Sequence, residues 1–473
     1  MFVFVLQGAW KGKGDRSMNL FSGRIGIVDL EKNEVREEAL DEGFVRSHIG
    51  GGPANLALYN QYKDSDPVIF GTGPFTATMV PGGALGIITA KSPWTGQVCH
   101  APFVLYGGSE MKLSGFDFLV LLGISDKPVY LWVHDEIVDI QDGSLIWEKD
   151  TWETTDILRE KHGDPLIQVL AIGEAGEKQI RASQVILNYW GTGDRWGFGS
   201  ILGGKKVKAI AMKGLGFLEM EDVTSFIDSC ASLRKLITET GRLQRQGCIA
   251  FSPDLGAGDV AAWIGHLVHR YSSCFGCVYT CNTFVKYNED PKVLVETGVK
   301  EPGFLITDLS GLLGFKKAGL SAEGSARGLE ISARIGADPT VLSKKVEESG
   351  GKTPKEIQSC VEEMLCKDTS SQPPPWPIDG DDHRLEQETS IFSPWPPPRP
   401  VFGSVVLPSD AKEISNWWLH RNSLAYTFGI CPIFTQMNPE IDEKVLLELL
   451  KLGVGIDLTT KELQEIISKV TLA

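Results

Sequence analysis

Three closely spaced cysteines constrain the fold of this chain more than any other sequence feature. Cys274, Cys277 and Cys281 form a C-x2-C-x3-C pattern, which lets three thiolates from one turn converge on an iron–sulfur cubane while a distant cysteine supplies the fourth ligand. Three unrelated buried cysteines, or a structural zinc site, are the alternatives. Zinc sites usually pair two C-x2-C knuckles or add histidines at fixed spacing, so the pattern favours the cubane.

The fourth ligand has three candidates, Cys360, Cys366 and Cys431. Cys360 and Cys366 fall in a polar predicted helix and at its end, whereas Cys431 lies in FGICPIF, a turn with apolar neighbours. Low-dielectric surroundings suit a cluster ligand, so the sequence favours Cys431. Nine cysteines without a secretion signal favour reduced thiols over disulfides, and hence a cytoplasmic location.

Charge and hydropathy narrow the possible partners. The net charge is −15 and the pI is near 5.1, which opposes binding to nucleic acids and to anionic membrane surfaces. The apolar start, MFVFVLQGAW, lacks the basic flank and cleavage site of a signal peptide, so we interpret it as a strand or extension. No apolar run approaches the ~18 residues of a membrane-spanning helix. The sequence therefore predicts a soluble protein with no membrane insertion.

The hydrophobic pattern changes once along the chain, near residue 217. Before that point short β-rich runs alternate with glycine-rich loops and show no long helical period, and after it apolar residues recur at three- and four-residue steps. Predicted strands run from Arg24 to Leu30, Pro67 to Phe70, Leu85 to Ala90, Phe118 to Leu122, Val129 to Val133 and Val207 to Met212; predicted helices begin near Glu221, Val260, Ala322, Lys355, Ile414 and Glu443. This succession predicts an α+β fold.

Four regions follow from the pattern. Residues 1–216 form a β-rich domain, and residues 217–367 form a helical domain in which the helix from Val260 runs directly into the cysteine motif. Residues 368–400 contain PPPWP and PWPPPRP, which favour an extended linker. Residues 401–473 form a C-terminal helical domain that contains Cys431.

Several motifs also occur in an order that resembles the tungsten-dependent aldehyde:ferredoxin oxidoreductase family. The likeness rests on GRIGIVDL, GTGPFTATMVPGG, TAKSPWTG, GGSEMKLSGFD, KPVYLWV, LGGKKVKAIAM, the cysteine motif and WWLHRNSLAYTFGICPIF. The resemblance implies an N-terminal double β-sheet domain over a tungsten (or molybdenum) bis-pterin cofactor, followed by mainly α-helical domains with a [4Fe–4S] cluster. It further implies that the pterins, rather than protein side chains, bind the tungsten.

The candidate cofactor residues come from three segments. The loop from Gly191 to Gly204 offers backbone N–H groups and close backbone approach to an anionic ligand, although ordinary tight turns would look the same. A dinucleotide fingerprint in GTGDRWGFG fails because Trp196 occupies the third glycine position. The resemblance adds residues 333–338 and 426–431, each of which lacks the first aspartate of the family motif. The resulting cofactor candidates are Arg195, Gly197, Gly199, Gly336, Asp338 and Gly429.

Other positions depart from the family pattern. Leu85 stands where the resemblance places an arginine between pterin and cluster, and residues 302–306 lack the glutamate of the family's P-E-Y-E-T segment. A general acid or base must be a titratable group within reach of the substrate, so we assign no catalytic residue. His420 and Glu301 are titratable residues of interest, although each is more typical of an ordinary surface or helix position.

Three functions remain open. The preferred one is an oxidoreductase that passes electrons between a small carbonyl substrate and ferredoxin or a redox partner subunit. The second is a catalytically degenerate relay or structural subunit of a larger complex, and the third is a pterin enzyme with another reductive substrate. We expect an oligomer or complex subunit. Docking of acidic ferredoxin needs a basic patch, for which Lys205, Lys206 and Lys208 are candidates.

Overall fold

The fold is given by a computed structural model that describes residues 18–244, 246–255, 258–287, 293–294, 300–301, 303–307, 309–351, 353–366 and 411–471. The predicted N-terminal strand and the predicted linker at 368–400 lie outside these residues.

Six strands from the first part of the chain form one sheet. They are β1 Arg24–Asp29, β2 Glu34–Ala39, β3 Val68–Thr72, β4 Gly86–Lys91, β5 Val98–Phe103 and β6 Phe118–Leu122. Their order across the sheet is β2-β1-β6-β3-β4-β5. Strands β1 and β6 are parallel, and the other neighbours are antiparallel.

A second sheet of six strands follows directly. Its members are β7 Val129–His134, β8 Ile137–Asp142, β9 Gln168–Ala171, β10 Ile186–Leu187, β11 Trp190–Gly191 and β12 Val207–Lys213. The order is β11-β10-β9-β12-β7-β8, with β7 and β12 parallel. The six strands predicted from alternation and β-branched residues all correspond to observed strands.

The two sheets bury a shared core, and strand β6 shows how. Leu119 and Leu121 point into the core that also contains Leu131 and Val133 of the second sheet. Val120, on the opposite face, packs with residues of the C-terminal helices. Because successive side chains of a strand alternate between faces, one apolar strand joins two cores. The outer face of the second sheet is covered by a third, smaller core.

Helices occur in the sequence both before and after residue 217. Those before it are α1 Glu42–His48, α2 Gly51–Gln61, α3 Gly107–Leu113, α4 Thr151–His162, α5 Glu174–Glu177 and α6 Phe198–Gly204. Helix α4 contradicts the expectation that this half has no long helix. Its start is a capping box, in which Asp150 and Glu153 each bind the other's backbone N–H, a local signal that the glycine- and proline-rich surroundings obscure.

The later helices are α7 Val223–Glu239, α8 Val260–Ile264, α9 Leu309–Lys317, α10 Ala322–Ile335, α11 Pro339–Ser349, α12 Pro354–Cys366, α13 Ala411–Phe428, α14 Pro432–Met437, α15 Glu443–Val454 and α16 Thr460–Thr471. The single helix predicted from Ala322 is divided in two. Gly336 ends α10 with a φ of 68°, and Asp338 caps α11 with Pro339 in its first turn, an arrangement that favours a break. None of the described helices is long and apolar enough to cross a membrane.

The helix predicted to lead into the cysteine motif is short. Helix α8 ends at Ile264, a 3₁₀ turn spans Gly265–Leu267, and β13 Val268–Ser272 follows. Strand β13 pairs with β14 Asn282–Val285, which pairs with β17 Phe304–Ile306; β15 Val293–Leu294 and β16 Lys300–Glu301 pair separately. The apolar residues of 260–268 fit a helix by spacing, but cross-strand pairing with β14 extends the chain.

Candidate metal centre

The three motif cysteines lie in the loop of a β-hairpin. Ser272 at the end of β13 pairs with Asn282 at the start of β14, so residues 273–281 form the connection. Gly276 has a φ of 64°, a left-handed conformation that glycine adopts readily. The N–H of Phe275 donates to the Leu105 carbonyl at 2.9 Å. The loop is thus fixed against the N-terminal sheets, and the prediction that it follows a helix end is wrong.

Cys431 approaches this loop from helix α14, which begins immediately after it. Its N–H donates to the carbonyl of Gly82 at 2.9 Å. Burial raises the pKa of the Cys431 thiol, and the N–H groups of Phe434 and Ile433 at the helix start partly offset that rise. A helix N-terminus favours a negatively charged sulfur, so this position suits a thiolate ligand.

The thiols of Cys274, Cys277, Cys281 and Cys431 influence one another's pKa. Burial raises the pKa of Cys277 to about 12; the N–H of Tyr279, 3.5 Å from its sulfur, opposes the rise and the Cys431 thiol adds to it. Burial is also the main cause of the raised pKa of Cys274 and of Cys281, and Cys431 contributes to both. The loop cysteines therefore share Cys431 as a neighbour, although it comes from a distant part of the sequence.

Zinc and an iron–sulfur cubane make different demands on these sulfurs. A zinc site places every ligand on one ion, whereas each thiolate of a cubane binds a different iron, which spreads the sulfurs further apart. No three His, Cys, Asp or Glu side chains in the described ranges lie close enough to hold one metal ion. The [4Fe–4S] cluster at the four thiols stays a prediction.

The other cysteines differ in their surroundings. The Cys360 sulfur lies 3.3 Å from the Ser349 hydroxyl, and Cys366 is exposed. Neither is among the thiols that act on the motif cysteines. The sequence analysis missed Cys248, whose N–H donates to the Cys281 carbonyl at 2.7 Å and whose thiol also raises the pKa of Cys281.

Arg195 and Asp338, both predicted to bind the cofactor, lie together and are buried. Arg195 Nε is 3.8 Å from Asp338 Oδ2, and Arg195 Nη2 donates to Thr340 Oγ1 at 3.3 Å. Asp338 Oδ1 accepts the Thr340 N–H at 2.7 Å as the cap of helix α11. Among the residues that the structure describes, none donates a hydrogen bond to Asp338 Oδ2. A buried cation next to an incompletely satisfied carboxylate is a polar site that a ligand could complete.

A small cleft lies next to this pair. Its volume is about 30 Å³, enough for one or two water molecules, and its walls include Gly191, Gly193, Ser332, Ala337 and Pro339. The loop after β11 and the start of helix α11 therefore face each other here.

Each predicted cofactor glycine packs against protein backbone. A Cβ atom at Gly197 would lie 2.4 Å from the Arg181 carbonyl oxygen, and one at Gly199 would lie 2.8 Å from the Gln184 carbonyl oxygen. The equivalent atoms at Gly336 and Gly429 would lie 2.6 Å from Gly173 N and 2.3 Å from Thr76 Oγ1. Chain packing alone accounts for these four glycines, and pterin contact at them stays a prediction.

Asp194, next to Arg195, is a buried carboxyl group that the sequence analysis did not select. It accepts the N–H groups of Val185, Trp196 and Phe198 at 2.9 to 3.1 Å. Burial raises its pKa to about 7, against those three N–H groups, and Asp338 adds to the rise.

This raised pKa predicts a pH dependence of stability. The folded chain holds the Asp194 proton more tightly than the unfolded chain, so the contribution of this group falls as pH rises from about 4 to 7, by roughly 1 kcal/mol per pH unit. We expect Asp194→Asn, which cannot ionise, to flatten that part of the stability curve. Urea denaturation at several pH values would test this, and an unchanged slope in Asp194→Asn would contradict it.

The three lysines predicted to form a basic patch do not form one. Lys205 is buried and donates to the Gly123 carbonyl at 3.1 Å. Lys208 is buried and forms an ion pair with Glu177, and Lys206 Nζ donates to the Asp126 carbonyl at 2.6 Å. The prediction is wrong because Lys208 lies in strand β12, whose first six residues are all buried, and Lys205 is buried just before it, which a run of lysines in a sequence does not reveal.

His420 is partly exposed on a helix, whereas His100 is buried inside the N-terminal domain. His420 Nε2 lies 3.6 Å from Glu443 Oε1 and the side chain is 40% exposed, which is typical of a helix residue; the side chain of Glu301 lies outside the described residues. His100, which the sequence analysis missed, is fully buried, with Nδ1 2.6 Å from Thr89 Oγ1, and burial lowers its pKa to about 3. It is a neutral imidazole inside the N-terminal domain.

The N-terminal part of the chain is similar in sequence to known proteins. Residues 25–214 match the family described as aldehyde ferredoxin oxidoreductase, N-terminal domain. The tungsten-containing aldehyde ferredoxin oxidoreductase of Pyrococcus abyssi is 35% identical over 216 residues, which cover 44% of this chain and 35% of that protein. Residues 25–214 thus form a divergent N-terminal domain of the aldehyde ferredoxin oxidoreductase family.

A second relative shows how much of each protein the sequence similarity covers. The aliphatic sulfonate oxidoreductase, WOR-like subunit, of Pyrococcus furiosus is 28% identical over 222 residues, which cover 42% of this chain and 35% of that protein. The chain thus spans about a third of the length of each of these two relatives, and the sequence matches concern its N-terminal half.

A solved structure extends the likeness to the whole fold. One chain of the active site complex BamBC of benzoyl coenzyme A reductase, in complex with 1,5-dienoyl-CoA, matches with a TM-score of 0.74. The match covers 96% of this chain and 88% of that chain at 16% identity. At that identity it concerns the fold alone, and it confirms the predicted α+β class.

Proposed function

We propose that this chain is an iron–sulfur oxidoreductase that oxidises or reduces a small carbonyl substrate. Cys274, Cys277, Cys281 and Cys431 hold a [4Fe–4S] cluster, which passes single electrons to ferredoxin or a partner subunit. The observation that carries the proposal is the meeting of these four thiols from two distant segments. An aldehyde ferredoxin oxidoreductase N-terminal domain in the same chain supports the redox role.

The protein around the thiols is suited to an electron carrier. The N–H groups of Tyr279 and Gly82 act on Cys277, and those of Ile433 and Phe434 act on Cys431. Donors of this kind stabilise thiolates and adjust the potential of a cluster. Binding of iron displaces the thiol protons, which the burial of these cysteines otherwise retains.

Arg195 and Asp338 are the proposed contacts of the tungsten or molybdenum bis-pterin cofactor, which would supply the two-electron chemistry at the substrate. Arg195 suits an anionic group because its guanidinium is buried and charge-assisted hydrogen bonds are strong in such surroundings. The Asp338 carboxylate, 3.8 Å from Arg195 Nε, suits a hydrogen-bond donor of the pterin instead. The helix cap made by Asp338 fixes the position of this pair.

The first experiment is elemental analysis of anaerobically purified protein for iron, tungsten and molybdenum, with pterin measured in the same sample. We expect about four iron atoms per chain, one tungsten or molybdenum, and pterin. Aldehyde oxidation coupled to viologen reduction then tests the substrate class.

The outcomes separate the competing functions. Iron without tungsten, molybdenum or pterin would overturn the enzyme proposal and leave an electron relay, which the oxidoreductase names of the relatives do not favour. Absence of iron would overturn the cluster. A Cys366→Ser variant is the matched control, since this exposed cysteine lies outside the four-thiol set and its loss should change none of these values.

A further inference from the structure

Asn282 lies beside one of the proposed cluster ligands. It follows Cys281 directly in the chain, and its side-chain Oδ1 is 3.7 Å from Cys281 Sγ. The side chain is only 3% exposed. Asn282 begins strand β14 and pairs with Ser272 of β13, so the hairpin that carries the cysteine loop also fixes this residue. The Asn282 amide is therefore a buried polar group in contact with the sulfur of a proposed ligand.

One end of this amide has no partner. Asn282 Nδ2 donates no hydrogen bond to any residue that the structure describes. Buried amide donors are nearly always paired, so the unpaired N–H groups indicate an acceptor that a bound group would supply. The oxygen and nitrogen of a carboxamide have nearly the same shape and exchange places by a half-turn. Either atom can therefore face Cys281 Sγ.

A [4Fe–4S] cluster at the cysteine loop fits this amide. Its thiolate and sulfide sulfurs accept hydrogen bonds and have no proton to donate, so an amide next to them is satisfied through its N–H groups. Reduction of the cluster adds one electron and breaks no bond, which makes the cluster more negative by one charge. Hydrogen bonds to the sulfurs stabilise that added charge and are among the factors that set the potential of a cluster.

We propose that the side-chain amide of Asn282 donates an N–H···S hydrogen bond to the [4Fe–4S] cluster at Cys281 and thereby raises its reduction potential. This inference rests on the proposed function, because it requires the cluster. Asn282 acts through the cluster and is a positioning residue, without contact to substrate.

The next residue, Thr283, provides a matched control. It is fully buried in the same strand, and its Oγ1 also lacks a hydrogen-bond partner among the described residues. Successive side chains of a strand point to opposite faces, and Thr283 Oγ1 faces Gly247, where a Cβ atom would lie 2.5 Å from it. Thr283→Val therefore removes a buried, unpaired polar group that points away from Asn282.

The test compares the full chain with Asn282→Leu and Thr283→Val. Iron per chain is measured first, and the midpoint potential is then measured by redox titration monitored by electron paramagnetic resonance. We expect wild-type iron content in all three proteins. Asn282→Leu should reduce the equilibrium constant for reduction about tenfold, a shift of about 59 mV to a more negative potential for one electron. Thr283→Val should keep the wild-type midpoint.

A spectroscopic measurement on the wild-type protein makes the test independent of how well a variant folds. Asparagine labelled with ¹⁵N at the side-chain amide alone is incorporated, and the reduced cluster is examined by pulsed electron paramagnetic resonance. We expect a hyperfine coupling to a labelled amide nitrogen. That coupling should be absent from labelled Asn282→Leu and present in labelled Thr283→Val.

The outcomes distinguish this inference from the proposed function. Wild-type protein without iron would overturn both. Full iron with an unshifted midpoint in Asn282→Leu, or with the same shift in Thr283→Val, overturns only the role of Asn282. If Asn282→Leu loses iron, the labelled wild-type protein decides, because the coupling supports the hydrogen bond and its absence overturns it.

Discussion

A Cys431→Ser variant is expected to lose roughly half or more of its iron, starting from about four atoms per chain. Serine removes the thiolate that the three loop cysteines share as a neighbour, and a cubane held by three protein ligands is readily degraded. The loss should appear as reduced iron content and as a changed or absent paramagnetic resonance signal after reduction with dithionite.

Two other cysteines provide the comparison for Cys431→Ser. Cys360→Ser and Cys366→Ser alter the remaining candidates for the fourth ligand, and both should keep wild-type iron. Full iron in Cys431→Ser together with loss in either of the other variants would transfer the ligand role to that helix. Cys248→Ser tests the additional thiol near Cys281, and we expect it to retain the cluster, since Cys248 belongs to neither the C-x2-C-x3-C motif nor the FGICPIF turn.

A Gly429→Ala variant is expected to lower the free energy of unfolding by roughly 2–5 kcal/mol. Gly429 has a φ of 78°, where a side chain is strained, and its Cβ atom would lie 2.3 Å from Thr76 Oγ1 and 2.9 Å from Gly73 N. The residue also ends helix α13 two positions before Cys431. Displacement of this turn should therefore reduce iron content as well as the midpoint of urea denaturation.

Gly163→Ala is the matched control for this strain. Gly163 ends helix α4 with a φ of 72°, and a Cβ atom there would meet nothing within 4 Å, so only the backbone cost of about 1 kcal/mol remains. Equal denaturation midpoints for Gly429→Ala and Gly163→Ala would show that the contact between the turn and residues 73–76 contributes nothing. A normal iron content in Gly429→Ala would separate the turn from the proposed cluster.

The cysteine motif illustrates how far local sequence reaches. The C-x2-C-x3-C spacing identified candidate ligands that lie in one loop, because three cysteines within eight residues must lie close together in any fold. The element before the loop was predicted as a helix and is a strand. Apolar residues at 260, 263, 264, 267 and 268 fit a helical period, and only pairing with Asn282–Val285, beyond the loop, selects the extended chain.

The glycines and lysines show which features local sequence does not predict. A glycine-rich loop has the same composition whether its missing side chains make room for a cofactor or for another stretch of backbone. Gly336 against Gly173 and Gly429 against Gly73 are contacts between distant segments, which no local pattern records. Lys208 likewise belongs to a basic run in the sequence, but the pleat of β12 directs it to Glu177 in the interior.

The sequence by itself determined six strands of the two N-terminal sheets, the change from sheet to helix near residue 217 and the spacing of the loop cysteines. These features depend on side-chain periodicity and on neighbours within a few residues, which the order of amino acids specifies directly. The tertiary structure decided which distant cysteine is a neighbour of the loop cysteines, which glycines pack against backbone and which lysines are buried. Such choices depend on how the two sheets and the later helices pack, because burial and long-range contacts arise only when the whole chain is folded.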